Sequence, residues 1–478
     1  MTRDHTRVPC PLRSAALASP EAAAVAGPGW TVSYTELDRR VSAAGRRIGE
    51  FGIEPGGRVA LYLPKSLDYV VLLLALIRTG LVACPVSTRL PAGAVAPLLE
   101  EAGCSALISD AIGPIGAAGE APALDPGTLL DGAENERPQE PLDVPLDRPA
   151  TVVFTSGSTG APKAALHSFG NHYYSALGSN ENIALRTDDR WLHSLPLYHV
   201  GGLSILFRCL LVGATVALPK PEAAIGESIP VLGATHVSLV STQLLRLLRE
   251  DADLSSLKAV LMGGGPIPPS LVGGAANRSL PVHTSYGLTE MASQVTTTPP
   301  GASRERLYTA GRVLAHREVR LSEDGEILVR GRTLFAGYVQ DGEPNRPLDG
   351  EGWFRTGDLG EMDAGGYLRV AGRRDNLFVT GGENVQPEEI EEALGRIEGV
   401  QEAVVVPVPD PEFGARPVAF VRMLDAANPP PNLAGSLGAL LPRFKVPDAF
   451  YPWPDGAPRA VMKTNRAFFR EHARRIHG

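Results

Sequence analysis

The stretch FTSGSTGAPK, residues 154–163, continues the apolar run TVVF and joins two glycines to a row of hydroxyls and a terminal lysine. The apolar run predicts a buried strand that opens into a flexible loop. Such a loop suits phosphate. Gly157 and Gly160 let backbone N–H groups turn toward an anion, Ser156, Ser158 and Thr159 add hydroxyl donors, and Lys163 supplies positive charge. Taken alone, such a stretch is more often an ordinary Gly/Ser turn. It is not a Walker A loop, which needs Gly directly before the Lys and Ser or Thr after it, where this chain has Pro162 and Ala164. A phosphate loop outside the kinase-type and ATPase-type folds is the expectation.

Working outward, residues 34–50 place Leu37, Val41, Ala44 and Ile48 on one helical face, and RVALYL (58–63) reads as a strand. A second helix over 67–79 and a strand at LVACPV (81–86) continue the alternation, which predicts an α/β layered domain with largely parallel sheets. Residues 111–149, rich in Pro, Gly, Ala and acids, read as a poorly packed surface segment leading into the loop. THVSLV (235–240) and LKAVLMGGG (257–265) read as strands, the second ending in a glycine cluster, and EILVRGRTLFAGYV (326–339) has strand composition. After Gly372 the texture changes: Pro387 opens a helix with Ile390, Leu394 and Ile397 on one face, and AVVVPV (403–408) follows as a strand. The remaining length suffices for a small α+β domain. The expected division is a large N-terminal domain over 1–372 and a small C-terminal domain over 373–478, with the boundary near residues 373–375.

With 478 residues, 44% hydrophobic and 21% charged, the chain can bury substantial cores. A net charge of −8 argues against general nucleic-acid binding, although a local cluster of lysines and amides can still oppose it around polyphosphate. The start carries no secretory pattern, and the longest apolar run, 69–77, is too short to span a bilayer, so a cytoplasmic protein is expected. Cys10, Cys84, Cys104 and Cys209 are widely spaced, which fits reduced, mostly buried thiols and gives no metal or redox pattern.

Further motifs follow the loop in order: PLYHVGG (196–202), SYGLTE (285–290), WFRTGDLG (353–360), GRRDNLFVTGGENVQPEEIE (372–391) and the late Lys463. Together they resemble the adenylate-forming superfamily of acyl-CoA synthetases, peptide-synthetase adenylation domains and luciferases, from about residue 20 to the end. The resemblance implies a large domain with a mobile C-terminal lid, and two steps. A carboxylate attacks the α-phosphate of Mg²⁺-ATP, giving an acyl-adenylate and pyrophosphate, and the thiol of CoA then displaces AMP. It implies that Thr155 and residues 156–163 cradle the β- and γ-phosphates, Glu290 binds Mg²⁺, and Thr289 attends the α-phosphate. Tyr286 would pack against adenine, Asp358 would take the ribose hydroxyls with help from Arg373, and Lys463 would bridge the substrate carboxylate and the α-phosphate. Asp375 would be the hinge, with Gly381 and Gly382 lining the CoA channel. One departure is Met462, which stands where the family usually has Gly and restricts the backbone beside Lys463. Singly, each residue has a bland alternative: Glu290 a surface pair, Asp358 a turn residue, Tyr286 core, Lys463 a solvent-facing side chain.

If residues 200–212 are helical, Gly201, Ser204 and Arg208 share one face, since spacings of three, four and seven stay on a common side. That face is a narrow groove of small residues ending in a guanidinium. A buried Arg calls for an anionic partner, which an acid with a second carboxylate supplies directly or through water. The alternative is that Arg208 extends to solvent or pairs with a neighbouring acid. PLYHVGGLSILFRCLL, THVSLVSTQLLRLL and SYGLTEMASQVTT resemble the o-succinylbenzoate-CoA ligases of menaquinone or phylloquinone biosynthesis. In that group Arg208 would meet the carboxylate that is not activated, with His199 beside the acyl site, and Gly263 and Gly264 join the substrate-binding set. The group often has Ser where this chain has Gly201. An aryl- or fatty-acyl-CoA ligase of other specificity, or a catalytically weak nucleotide-binding homologue, are the alternatives. The expected partners are the acid, ATP and CoA, without nucleic acid; a homo-oligomer is compatible with the sequence and not fixed by it.

Overall fold

The computed structural model describes residues 6–90, 92–110, 122–131, 142–156, 162–250, 252–340, 342–424, 432–457 and 465–477. Two large sheets dominate the N-terminal part. One runs in the order Glu343–Asn345, Gly337–Gln340, Pro162–Ser168, Pro149–Ser156, Val82–Pro85, Arg58–Tyr62, Cys104–Ser109 and Ala123–Leu124. The other has nine strands, of which Ala23–Gly27, Thr215–Ala217, Arg190–Leu192, His236–Leu239, Ala259–Met262 and Val282–Leu288 lie side by side and parallel. A four-stranded antiparallel sheet, Arg317–Leu321, Glu326–Gly331, Phe354–Met362 and Leu368–Arg373, leads to the C-terminal part. That part contains a three-stranded sheet (Val400–Asp410, Gly414–Met423, Ala449–Pro452), the helix Pro387–Gly395 and the helix Arg466–His477.

Local chemistry starts and stops the helices as the sequence suggests. The Ser33 and Ser66 hydroxyls accept from the N–H groups of Glu36 and Tyr69, opening the helices Tyr34–Glu50 and Leu67–Thr79, and Gly80 at φ +84° ends the second. All nine residues from Tyr69 to Ile77 are buried, so the longest apolar run is a core helix packed between sheets. Among the described residues no helix is long and apolar enough to cross a membrane.

Two expectations need correction. The stretch 326–339 is not one strand. It breaks into Glu326–Gly331 and Gly337–Gln340, which join different sheets, and Gly331 (φ +131°) and Gly337 (φ +143°) stand at the break in a conformation side chains rarely adopt. Nor is 111–149 merely a surface segment: within its described residues Leu124, Leu129 and Val144 are core, and Asp143–Pro145 pairs with Arg7–Pro9. Sparse periodicity hid this, because each short piece contributes only one or two core side chains, too few to show a helical or strand repeat. The four cysteines are free, Cys84 and Cys209 buried and Cys10 and Cys104 partly so.

Asp38, fully buried on the helix Tyr34–Glu50, accepts from Arg13 at 2.8 Å and Arg78 at 2.6 Å and ties three helices together. Removing the charge leaves two guanidiniums facing a neutral group. Asp38→Asn should therefore destabilise the N-terminal part by about 3 kcal/mol, read as a lower urea midpoint.

Candidate active site

The strands Pro149–Ser156 and Pro162–Ser168 form an antiparallel pair with Lys163 opposite Thr155. The tip between them, including Gly157, Ser158, Thr159 and Gly160, lies outside the described residues; Ser156 is the last residue of its strand. Lys163 Nζ stands 5.1 Å above the ring of Tyr338, and the Tyr338 hydroxyl donates to Glu290 Oε1 at 2.5 Å. The structure thus gathers Lys163 and Glu290 around one aromatic ring that the sequence did not flag. Glu290 sits in the short turn Thr289–Met291 after the strand Val282–Leu288, held by the Phe335 N–H donating to the Glu290 carbonyl at 2.8 Å. His167, three residues beyond Ala164 on the lysine's strand, donates through Nε2 to the Thr289 carbonyl at 2.7 Å. A carbonyl can only accept, so Nε2 carries the proton, and burial, which pushes this imidazole down to about 4, keeps the ring neutral.

In the four-stranded sheet, Asp358 and Arg373 are cross-strand neighbours. Arg373 Nη1 donates to Asp358 Oδ1 at 2.9 Å, and the Tyr286 hydroxyl donates to Asp358 Oδ2 at 2.7 Å. Burial and the adjacent carboxylate push the Tyr286 hydroxyl far above its ordinary value, so it stays a donor. Gly357 adopts φ +71° directly beneath the Arg373 guanidinium, where an added Cβ would lie 2.9 Å from a nitrogen. Gly263 follows Met262, whose carbonyl accepts from Ser285 Oγ at 2.8 Å, so this glycine lies beside the strand that carries Tyr286. Gly264 takes φ +83°.

Residues Val200–Val212 form the expected helix. Ser204 turns its hydroxyl back to the Gly201 carbonyl at 2.9 Å, so it is a small filled position on the helix rather than an open donor. Arg208 neither reaches solvent nor pairs with an acid: it is 1% exposed, its guanidinium lies 5.0 Å from the Trp191 ring, and Nη2 donates to Gln294 Oε1 at 2.6 Å. Its Nε is buried without a hydrogen-bond partner. Burial pushes this guanidinium down to about 9, still protonated at neutral pH. Gln294 went unnoticed in the sequence, and no alternation could have marked it: it and the three residues after it in the strand Ser293–Thr297 are all buried. His199 is the residue before the helix, its ring 4.7 Å from that of Tyr198, and both line a cavity of about 260 Å³ with Phe154, Arg89 and Leu90. Phe154 is the residue before Thr155, so this cavity opens beside the phosphate strand.

In the C-terminal part, Gly381 (φ +56°) and Gly382 (φ +87°) form the exposed two-residue turn between Phe378–Thr380 and Glu383–Val385. Successive positive φ values make Gly-Gly suited to this tight hairpin. Asp375 is exposed, 3.7 Å from Arg373, in a neighbourhood of polar links: Arg374 to Glu326 at 2.8 Å and the Gln386 amide to the Arg373 carbonyl at 3.0 Å. Lys463 and Met462 lie outside the described residues. Among the described residues no group of three His, Cys, Asp or Glu could hold a metal ion.

This chain belongs to the AMP-binding enzymes: the family's main model matches residues 12–339, and the AMP-binding enzyme C-terminal domain matches 389–459. The fold is that of adenylate-forming enzymes. Its relatives include the 2-succinylbenzoate–CoA ligase of Bacillus pumilus, 34% identical over 90% of each chain, and that of Bacillus licheniformis, 33% identical over 96% of this chain and 98% of the other. Among solved structures, the Bacillus subtilis o-succinylbenzoate CoA synthetase in complex with its acyl-adenylate intermediate superposes with a TM-score of 0.88, at 31% identity over 97% of this chain and 98% of that one. The same enzyme with ATP and magnesium ion gives 0.87 at 31% identity, over 97% of this chain and 99% of that one.

Two buried neutral histidines pin carbonyls of the site. His167 holds that of Thr289, and His193 Nε2 donates to that of Gly202 at 3.2 Å. Burial depresses them from 6.5 to about 4 and about 3 respectively. A depressed folded-state value means the unfolded chain protonates first, so this stability is complete above 6.5 and is lost as pH falls toward those values. For His167 the loss is on the order of 3 kcal/mol by pH 4. His167→Asn keeps a donor without titrating in this range, so its urea midpoint should fall less than that of the wild type between pH 7 and pH 4.

Proposed function

We propose that this chain activates o-succinylbenzoate with Mg²⁺-ATP and transfers the acyl group to CoA. The observation that carries the specificity is Arg208: a protonated guanidinium, 1% exposed, with no carboxylate within ion-pair distance among the described residues. An unpaired buried charge is costly, and a ligand carboxylate at this point removes the cost. The relatives named for 2-succinylbenzoate support the same reading.

In the first step a carboxylate oxygen of the acid bonds to the α-phosphorus as the bond to pyrophosphate breaks. Charge grows on the phosphoryl oxygens, so the protein contributes mainly position and positive charge. Lys163 with residues 155–160 holds the β- and γ-phosphates, Thr289 and Lys463 attend the α-phosphate, and Tyr286, Asp358 and Arg373 seat the nucleoside. Glu290, alone and already oriented by Tyr338, fits Mg²⁺ chemistry, in which one or two carboxylates combine with substrate phosphate oxygens and water. The metal, when bound, neutralises charge on the leaving pyrophosphate.

In the second step the CoA sulfur attacks the acyl carbon and AMP leaves. With the chain divided into 1–372 and 373–478 the hinge is Asp375, a reading supported by its exposed side chain and by neighbouring links that are polar rather than apolar. Rotation there would bring the Gly381–Gly382 turn, bare of side chains, to the thiol's path, while His199 of the large domain stands beside the acyl group. A cytoplasmic enzyme fits these substrates.

Pyrophosphate release should be strongly selective for o-succinylbenzoate over benzoate and a medium-chain fatty acid, with acyl transfer dependent on CoA; indifference to that acid sinks the specificity. Arg208→Met should lower kcat/KM for it by about 100-fold or more while leaving thermal stability equal or higher, since a buried charge is replaced by an apolar chain. Lys463→Ala should abolish adenylate formation yet still convert a supplied acyl-adenylate and CoA.

A further inference from the structure

Arg208 has a second buried guanidinium beside it. Arg317, the first residue of the strand Arg317–Leu321, is 6% exposed and points inward under the helix Phe169–Asn182. Nε donates to the Gln294 carbonyl at 2.6 Å, Nη1 to the Ala315 carbonyl at 2.6 Å, and Nη2 to the Ser175 carbonyl at 3.0 Å and its hydroxyl at 3.3 Å. Every one of these acceptors is neutral. Glu181 acts on it from beyond ion-pair distance and is itself half exposed beside His316.

Gln294 therefore carries both cations, one on its side-chain oxygen and one on its backbone carbonyl. Its amide nitrogen donates to Thr297 Oγ1 at 2.6 Å, which fixes the oxygen toward Arg208. Two like charges in a low-dielectric interior repel. The three nitrogens of Arg317 serve three carbonyls and a hydroxyl, more acceptors than the two N–H groups of a neutral amide could reach, and the positive charge that comes with this fork stays without an anionic partner. An anion arriving at Arg208 interacts favourably with both guanidiniums at once; an uncharged substituent leaves both uncompensated.

Resting on the acid-pocket reading above, we propose that Arg317 is a specificity-determining residue: held against Gln294 behind Arg208, it makes the inner end of the pocket select acids that carry a second negative charge. It touches no reacting atom. Its effect is on which acid is accepted, through the charge it adds behind Arg208.

The test compares kcat/KM for o-succinylbenzoate with that for the same acid bearing hydrogen in place of the carboxylate that is not activated. Arg317→Gln removes the charge and keeps donors; it should lower this ratio by about tenfold while kcat for the acid lacking that carboxylate stays within about twofold. Arg317→Lys keeps the charge and loses the fork, and should retain the ratio. A Gln variant that keeps wild-type discrimination overturns the proposal, and so does a Lys variant that loses it. Should the Gln variant fail to fold, the Lys variant decides alone on the same criterion. A wild-type enzyme that ignores the second carboxylate would instead defeat the o-succinylbenzoate reading itself, independently of either variant.

Discussion

The hydrogen bond from His167 Nε2 to the Thr289 carbonyl, 2.7 Å long and buried, joins the two large sheets where the site lies. On one side is the strand that carries Lys163 at its opening end. On the other is the turn that presents Glu290. The bond survives because its surroundings are dry: the imidazole packs 5.2 Å from His172 and 6.4 Å from Phe335, and burial keeps it neutral. A charged ring there would still donate, but at a desolvation cost the fold does not meet. Through Phe335 and Tyr338 the same packing extends to the Glu290 carboxylate, so these described residues form one continuous packed group.

The acid end is governed by the opposite condition. Hydrophobic packing encloses Arg208 and Arg317, yet the described residues offer both of them only neutral acceptors. A fold can hold such a strained electrostatic state when its surrounding core is large, and the cluster around Trp191, Phe207 and Leu206 is the largest in the chain's described residues. In the proposed reaction an anion of the right shape offsets that cost, which is a physical route to specificity.

Toward the C-terminal part the links change character. Around Arg373, Arg374 and Asp375 they are ion pairs and amide hydrogen bonds at a partly exposed surface. Contacts of this kind contribute little net stability and re-form elsewhere at little cost, which suits a joint, whereas the cores on either side are apolar.

Much of this was legible in the amino-acid sequence because it depends on local rules. Periodicity and capping determined the helices Tyr34–Glu50, Leu67–Thr79 and Val200–Val212, and the motif order determined the family, since glycines, a lysine and carboxylates at those spacings answer to the chemistry of phosphate. The spacing of Gly201, Ser204 and Arg208 foretold a shared face. What tertiary structure alone decided is how charges are partnered. That Arg208 finds an amide oxygen and no carboxylate, that Tyr338 orients Glu290, and that Arg317 arrives beside Gln294 all depend on residues 23 to 86 positions apart in the chain. Solvation and pairing energies are set by three-dimensional neighbours, and no local pattern encodes them.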